Sequence, residues 1–166
     1  MTCSMETMMR AQKKIADNEL LIVRTFDAPP SLVFALWASA EHLKRWMGPK
    51  NYTCPEATID FRVGGAYRAM IKSVEHGESW FSGVYREIVQ DKRLVFTFSW
   101  DNEGPSAGLE TLVTITFEER DGRTIQTFHQ APFRNVERRD SHVGGWIEAF
   151  DKEQAYAKTI AKEHRA

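Results

Sequence analysis

The stretch VERRDSHVGGWIEAFDKEQAYAKTI, residues 136–160, decides how the rest of the chain is read. Its apolar residues recur as Val136, Val143, Trp146, Ile147, Phe150, Ala157 and Ile160. Steps of 3, 4 and 7 place them on one stripe of an α-helix. A single helix cannot bury such a stripe alone and needs a sheet to lie on. The preceding residues supply one, because between positions 50 and 130 the chain reads as strands. The expected fold class is therefore α+β, a curved antiparallel sheet wrapped around a long C-terminal helix. Function is expected in the space between them.

Working back from that helix, Arg123 to Gln130 and Glu110 to Arg120 read as two strands joined at Asp121-Gly122. That dipeptide suits the favoured two-residue hairpin turn, which requires positive φ at both positions. Leu94 to Trp100 is a strong strand, with Leu94, Phe96 and Phe98 on one face and Val95, Thr97 and Ser99 on the other. Ser79 to Val89, Ala66 to Val74 and Tyr52 to Phe61 complete six consecutive strands. Pro55 points to an edge or bulge in the first of these, and Gly83 to a bend or a close backbone approach. Gly64-Gly65 marks a turn or bulge. Short connections between neighbours imply antiparallel pairing. Further upstream lie a helix from Ala40 to Trp46 and another from Pro30 to Ser39, before them a strand from Leu20 to Phe26. Residues 1–17 read as a tail, in which Met5, Met8 and Met9 offer only a weak amphipathic pattern. The expected organisation is that tail followed by a single domain over residues 18–162.

Bulk properties narrow the function classes. The chain has 166 residues, 42% hydrophobic and 27% charged, ordinary values for a single soluble domain. Lys plus Arg is 22 and Asp plus Glu is 23, a net charge of −1. Nucleic-acid binding would require a basic patch, so it is not expected. No apolar run reaches the roughly 20 residues that span a bilayer, and no secretory signal is visible. Cys3 and Cys54, far apart in sequence, read as free thiols in a cytoplasmic protein.

Several local motifs recur in an order that resembles a known family. They are Phe26-Asp27-Ala28-Pro29, Val33-Phe34-Ala35-Leu36-Trp37, and Leu43-Lys44-Arg45-Trp46. Then come Asp60-Phe61-Arg62-Val63-Gly64-Gly65, Gly83-Val84-Tyr85-Arg86-Glu87-Ile88 and Arg93-Leu94-Val95-Phe96-Thr97-Phe98. The last is His142-Val143-Gly144-Gly145-Trp146. With the order β-α-α-β6-α, the chain resembles the START-like (SRPBCC) helix-grip superfamily. Within it, the chain is similar to the activator of Hsp90 ATPase homolog 1-like (AHSA1-type) group from about residue 19 to 160. The resemblance implies a hydrophobic cavity gripped between sheet and helix. Members of that group are mostly small bacterial proteins without an assigned reaction.

Catalytic signatures are missing from the sequence. It has no nucleotide-binding glycine fingerprint, no phosphate-cradling loop, no Cys-x-x-Cys, no His-Glu-x-x-His and no Gly-x-Ser-x-Gly. His42, His76, His129, His142 and His164 show no metal-ligand spacing, so neither metal nor cofactor is expected. His129 shares strand parity with Ile125 and Thr127. If that face meets the long helix, His129 becomes a weak candidate general base, although a structural histidine is the plainer reading. His142 precedes Trp146 by four residues, so the two point the same way. A bond to a backbone carbonyl that seats the helix is favoured there over ligand contact.

Gly144-Gly145 costs a helix about 1 kcal/mol per glycine relative to alanine. Either a close approach to a strand or space for a ligand beside Trp146 would compensate. The chain has five Trp, ten Phe and four Tyr, a supply that suits a core or a lined pocket. Trp146 and Phe150 are the leading cavity candidates, followed by Trp37, Trp80, Tyr85 and Phe98. Asp60, Arg62 and Glu87 read as a structural ion-pair cluster.

Three functions follow as expectations. The first is a module that binds a hydrophobic or amphipathic small molecule. The second is a cyclase- or dehydratase-type enzyme in the same cavity, for which His129 with Tyr85 or Tyr67 is the one pair that can be assembled. The third, implied by the resemblance, is an interaction module acting on an Hsp90-type chaperone. Against it, only a short tail precedes the first strand, where the full-length activator carries a separate N-terminal domain. A homodimer through an exposed strand is a further expectation.

Overall fold

A computed structural model describes residues 15–101 and 108–165. The Met-containing part of the tail, Cys3 and the centre of the 101–109 loop lie outside them. In chain order the elements are β1 (Leu20–Phe26), α1 (Pro30–Ala38), α2 (Ala40–Trp46), β2 (Thr53–Ile59) and β3 (Ala66–Ser73). They continue as β4 (Gly77–Val89), β5 (Arg93–Trp100), β6 (Thr111–Arg120), β7 (Arg123–Ala131) and α3 (Val136–Arg165).

The strands form one antiparallel sheet in the order β1-β7-β6-β5-β4-β3-β2. The first strand pairs with the last, and β1 and β2 are the two open edges. Pro55 lies on the edge strand β2, where the register shifts between Thr53 and Glu56. An edge is where a residue without an N–H is tolerated. Gly83 sits where β4 crosses β5, and a Cβ there would overlap the Thr97 carbonyl. Just beyond it the Val84 N–H donates to Thr97 Oγ1 at 2.9 Å, and the ladder slips between Tyr85 and Glu87. This bulge bends the sheet around the helix. At the β6–β7 turn, Asp121 and Gly122 have φ of 54° and 78°, the geometry the two-residue hairpin demands.

Two short helices close one side. Pro30 occupies the first turn of α1, where its missing N–H costs nothing. Val33, Phe34, Leu36 and Trp37 of that helix are buried. Ser39 is extended and its side chain accepts from the His42 N–H at 3.2 Å, which starts α2 as a separate helix.

The gripped helix packs by a somewhat different stripe from the one its apolar residues suggest. Trp146, Ala149, Phe150, Glu153, Ala157 and Ala161 are buried, whereas Val136 and Ile147 are 39% and 40% exposed. At 100° per residue, Ile147 turns away from the sheet once Trp146 faces it. A carboxylate, Glu153, takes a place inside the stripe. The expected Asp60–Arg62–Glu87 cluster is also corrected. Arg62 pairs with Asp60 at 2.9 Å and Glu87 with Arg93 at 3.0 Å, two separate and exposed pairs. Charges in an exposed connection or on an outer strand face remain hydrated and need no shared buried network.

Candidate functional site

The inner face of α3 divides into two environments. Around Phe150 the space is filled. Trp37 lies 4.7 Å from Trp46, 6.1 Å from Phe128 and 6.2 Å from Phe150, measured between ring centroids. Within this packing sits a polar knot. The Trp37 indole N–H donates to Gln126 Oε1 and Glu153 Oε2, both at 3.1 Å. Gln126 Nε2 donates to Glu153 Oε1 at 3.2 Å. Burial pushes the Glu153 carboxyl up to about 8, and the hydrogen bonds from Gln126 and Trp37, with the charge of Arg24, only partly offset it. Nearby, Trp146 Nε1 donates to Gln130 Oε1 at 2.8 Å and Gln130 Nε2 to Thr111 Oγ1 at 2.9 Å. Among the described residues every buried side-chain polar atom has a partner.

Those glutamines show that the condition set for His129 as a general base is not met, which leaves the structural reading. On β7 the inward residues are Thr124, Gln126, Phe128 and Gln130, while Ile125, Thr127 and His129 lie on the opposite face. His129 Nε2 is 2.9 Å from Glu19 Oε2 near the surface, both side chains about a third exposed. Tyr67 and Tyr85 point into the core, and the Tyr67 hydroxyl donates to the Thr97 carbonyl at 2.7 Å. Histidine and tyrosines are therefore on opposite sides of the sheet, and the acid–base pair does not assemble. Polar Gln126 and Gln130 look like solvent-facing residues in a sequence. Their hydrogen bonds to Trp37, Glu153, Thr111 and Trp146 are what place them inside.

Beyond Trp146 the grip opens into a cavity of about 740 Å³. Its floor is aromatic, with Phe81, Phe98 and Trp146, and its walls include Trp100. Trp80 also borders it, but its ring turns to the other sheet face under the Arg68 guanidinium. One lip is the segment after α2, from Met47 to Tyr52. Lys152 anchors that lip from α3, its Nζ donating to the Tyr52 carbonyl at 3.0 Å and to that of Pro49 at 3.4 Å. Burial lowers the Lys152 pKa. Cys54, just beyond the lip, is a buried free thiol pushed up to about 11 by desolvation.

His142 is on the cavity wall and is held at both nitrogens. Its Nδ1 lies 2.7 Å from the Arg138 carbonyl, and its Nε2 accepts from the Trp100 indole N–H at 3.0 Å. An indole only donates and a carbonyl only accepts, so the ring is neutral with its proton on Nδ1. Burial, in the same direction, lowers its pKa.

The other candidates fall as follows. Trp80, Phe98 and Trp146 border the cavity, as does His142. Trp37 and Tyr85 border a separate void of about 20 Å³, which has room for about one water. Phe150 is fully buried in the filled half and lines neither space. Of the two explanations for Gly144-Gly145, no strand among the described residues closely approaches either. Among those residues a Cβ on Gly144 would meet nothing, and one on Gly145 would meet only the Pro49 ring at 3.5 Å. Gly145 borders the cavity. Arg138 and Ser141, which the sequence reading missed, also face it. Their signal was available: 138, 141, 142, 145, 146 and 149 continue one helical face toward the N-terminus.

A curved open sheet gripping a long helix, with a cavity at one end of the grip, defines a START-like helix-grip protein. The family model for activator of Hsp90 ATPase homolog 1-like protein matches residues 27–158, and the chain belongs to that family. Solved structures share the fold. Protein CV1439 from Chromobacterium violaceum is 24% identical with a TM-score of 0.75, over 86% of this chain and 98% of that one. Protein NE0264 from Nitrosomonas europaea is 22% identical with a TM-score of 0.74, over 88% and 97%. The AHSA1 protein SPO3351 from Silicibacter pomeroyi is 22% identical with a TM-score of 0.73, over 88% and 99%. No curated protein gives a significant match to the sequence. Among the described residues no helix is long and apolar enough to cross a membrane.

Proposed function

We propose that the protein binds an amphipathic small molecule with an aromatic body in the cavity between α3, β3–β5 and the lip after α2. The observation that carries this reading is a cavity of about 740 Å³ floored by aromatic rings and rimmed by polar groups. That volume falls in the range of ligand pockets, about 300–1,000 Å³, and the mixture of apolar walls with a few polar groups is their usual chemistry. A binding role suits the residues better than catalysis. The imidazole on the wall, His142, has both nitrogens engaged, Asp101 is paired with Arg68, and His129 lies on the other face of the sheet.

The test is a panel of lipids, flavonoid-like aromatics and polyketides followed by backbone and indole N–H shifts in NMR. Ligands should move the resonances of Trp80, Trp100, His142, Gly145 and Trp146 while leaving Trp37 unmoved. A panel that moves none of them, or moves only residues outside the cavity, overturns the reading.

A further inference from the structure

Resting on that binding reading, we propose that the cavity selects an aromatic carboxylate, its anion received by Arg138 at the mouth and its ring held among Phe98, Trp100 and Trp146. The α3 face bordering the cavity changes chemistry along its length. Ala149 and Trp146 at its inner end are 1% and 7% exposed, Gly145 adds no side chain, His142 and Arg138 are half-buried and Ser141 is exposed. The ring therefore belongs at the inner end and the polar group of the ligand at the outer end.

The charges at that outer end differ in availability. Asp101 is occupied by Arg68, Nη2 to Oδ2 at 2.6 Å. The His142 ring is neutral and spends its proton on the Arg138 carbonyl. Arg138 borders the cavity, and no carboxylate among the described residues pairs with its guanidinium. A half-buried planar fork beside a neutral imidazole matches the two oxygens of a carboxylate in bidentate geometry. Among the described residues, Glu78, exposed on β4, is the one remaining acidic group bordering the cavity. It opposes an anion weakly, because its charge is hydrated.

The experiment titrates the intact protein with 2-naphthoate, its methyl ester and 2-naphthylmethylammonium, following the Trp100 and Trp146 indole N–H resonances. Naphthoate should bind on the order of tenfold more tightly than the ester, as expected for a charge-assisted pair, and the ammonium should bind least well. Arg138→Met should abolish the preference for acid over ester, and Arg138→Lys should retain part of it through a point charge. Glu78→Gln should strengthen naphthoate binding slightly. An ester that binds as well as the acid, or a preference that survives Arg138→Met, overturns the proposal and leaves the binding reading standing. So does an ammonium that binds best and loses its advantage in Glu78→Gln. If none of the three probes shifts either indole, the proposal also falls, and the wider panel above decides the binding reading separately.

Discussion

From Phe150 to Ala161 the inner face of α3 is packed against aromatic rings and a satisfied polar knot, whereas from Arg138 to Ala149 it borders about 740 Å³ of open space. The same helix, sheet and supply of aromatic residues produce both. The difference lies in what covers the sheet. Behind Phe150, α1 inserts Trp37 between sheet and helix, and Glu153 and Gln126 satisfy its indole. Ahead of Trp146 no helix among the described residues inserts, the two glycines withhold side chains, and the lip is a loop tied down by Lys152. Stability and binding are thereby assigned to opposite ends of one element.

Substitutions at the two ends should separate accordingly. The largest effect is expected for Trp37→Ala, which opens the filled end and should cost about 3–5 kcal/mol in urea denaturation. Trp80→Ala, at the edge of the cavity with its ring on the outer sheet face, should cost about 1 kcal/mol or less, the worth of its contact with the Arg68 guanidinium 3.9 Å from the ring centroid. Equal losses at the two sites would erase the contrast.

The next effect concerns pH at the filled end. Burial raises the Glu153 carboxyl from its ordinary 4.5 to about 8. Between those values the folded state holds a proton that the unfolded state has lost. Stability should therefore fall as pH rises from 4.5 to about 8, then level off. Glu153→Gln should flatten that slope; an unchanged slope would show that Glu153 is not its source.

A smaller slope of opposite sign is expected from the cavity wall. His142 has its pKa lowered below the ordinary 6.5, chiefly by burial. The unfolded chain then takes up a proton that the folded state resists, so stability should decline as pH falls below 6.5. Protonating Nε2 also removes the acceptor of the Trp100 indole, whose N–H resonance should shift in the same titration. A Trp100 resonance that stays fixed through the His142 transition would break the assigned tautomer.

The smallest effect is Gly144→Ala. A Cβ there meets no neighbour among the described residues, so the helix should gain about 0.5–1 kcal/mol with ligand response unchanged.

Much of the fold could be read from residue patterns. The periods of two and 3.6, the Asp121-Gly122 turn, Pro55 on an edge strand and Gly83 at a close crossing all act through local backbone geometry. The candidate site was less legible. The sequence leaves open which face of β7 His129 occupies, because an alternating strand with the polar Gln126 and Gln130 in one set offers two plausible parities. Phe150 was expected beside the cavity, yet it lies one helical turn too far along. Glu153 interrupts an apolar stripe at helical spacing, a position that marked it as buried had its partners been known. Arg138 and Ser141 lay upstream of the residues that drew attention, although they continue the same helical face.

The sequence by itself determined the family, the element order and the antiparallel pairing, because hydrophobic period and turn chemistry are properties of neighbouring residues. Only the tertiary structure decided which strand face is inward, which aromatic rings are core and which are wall, and where the grip stays open. Those outcomes depend on long-range partners. Trp37 meets Glu153 from 116 residues away, and Trp100 meets His142 from 42 residues away. A buried polar group is stable only where such a partner arrives, and a cavity persists only where no side chain arrives to fill it.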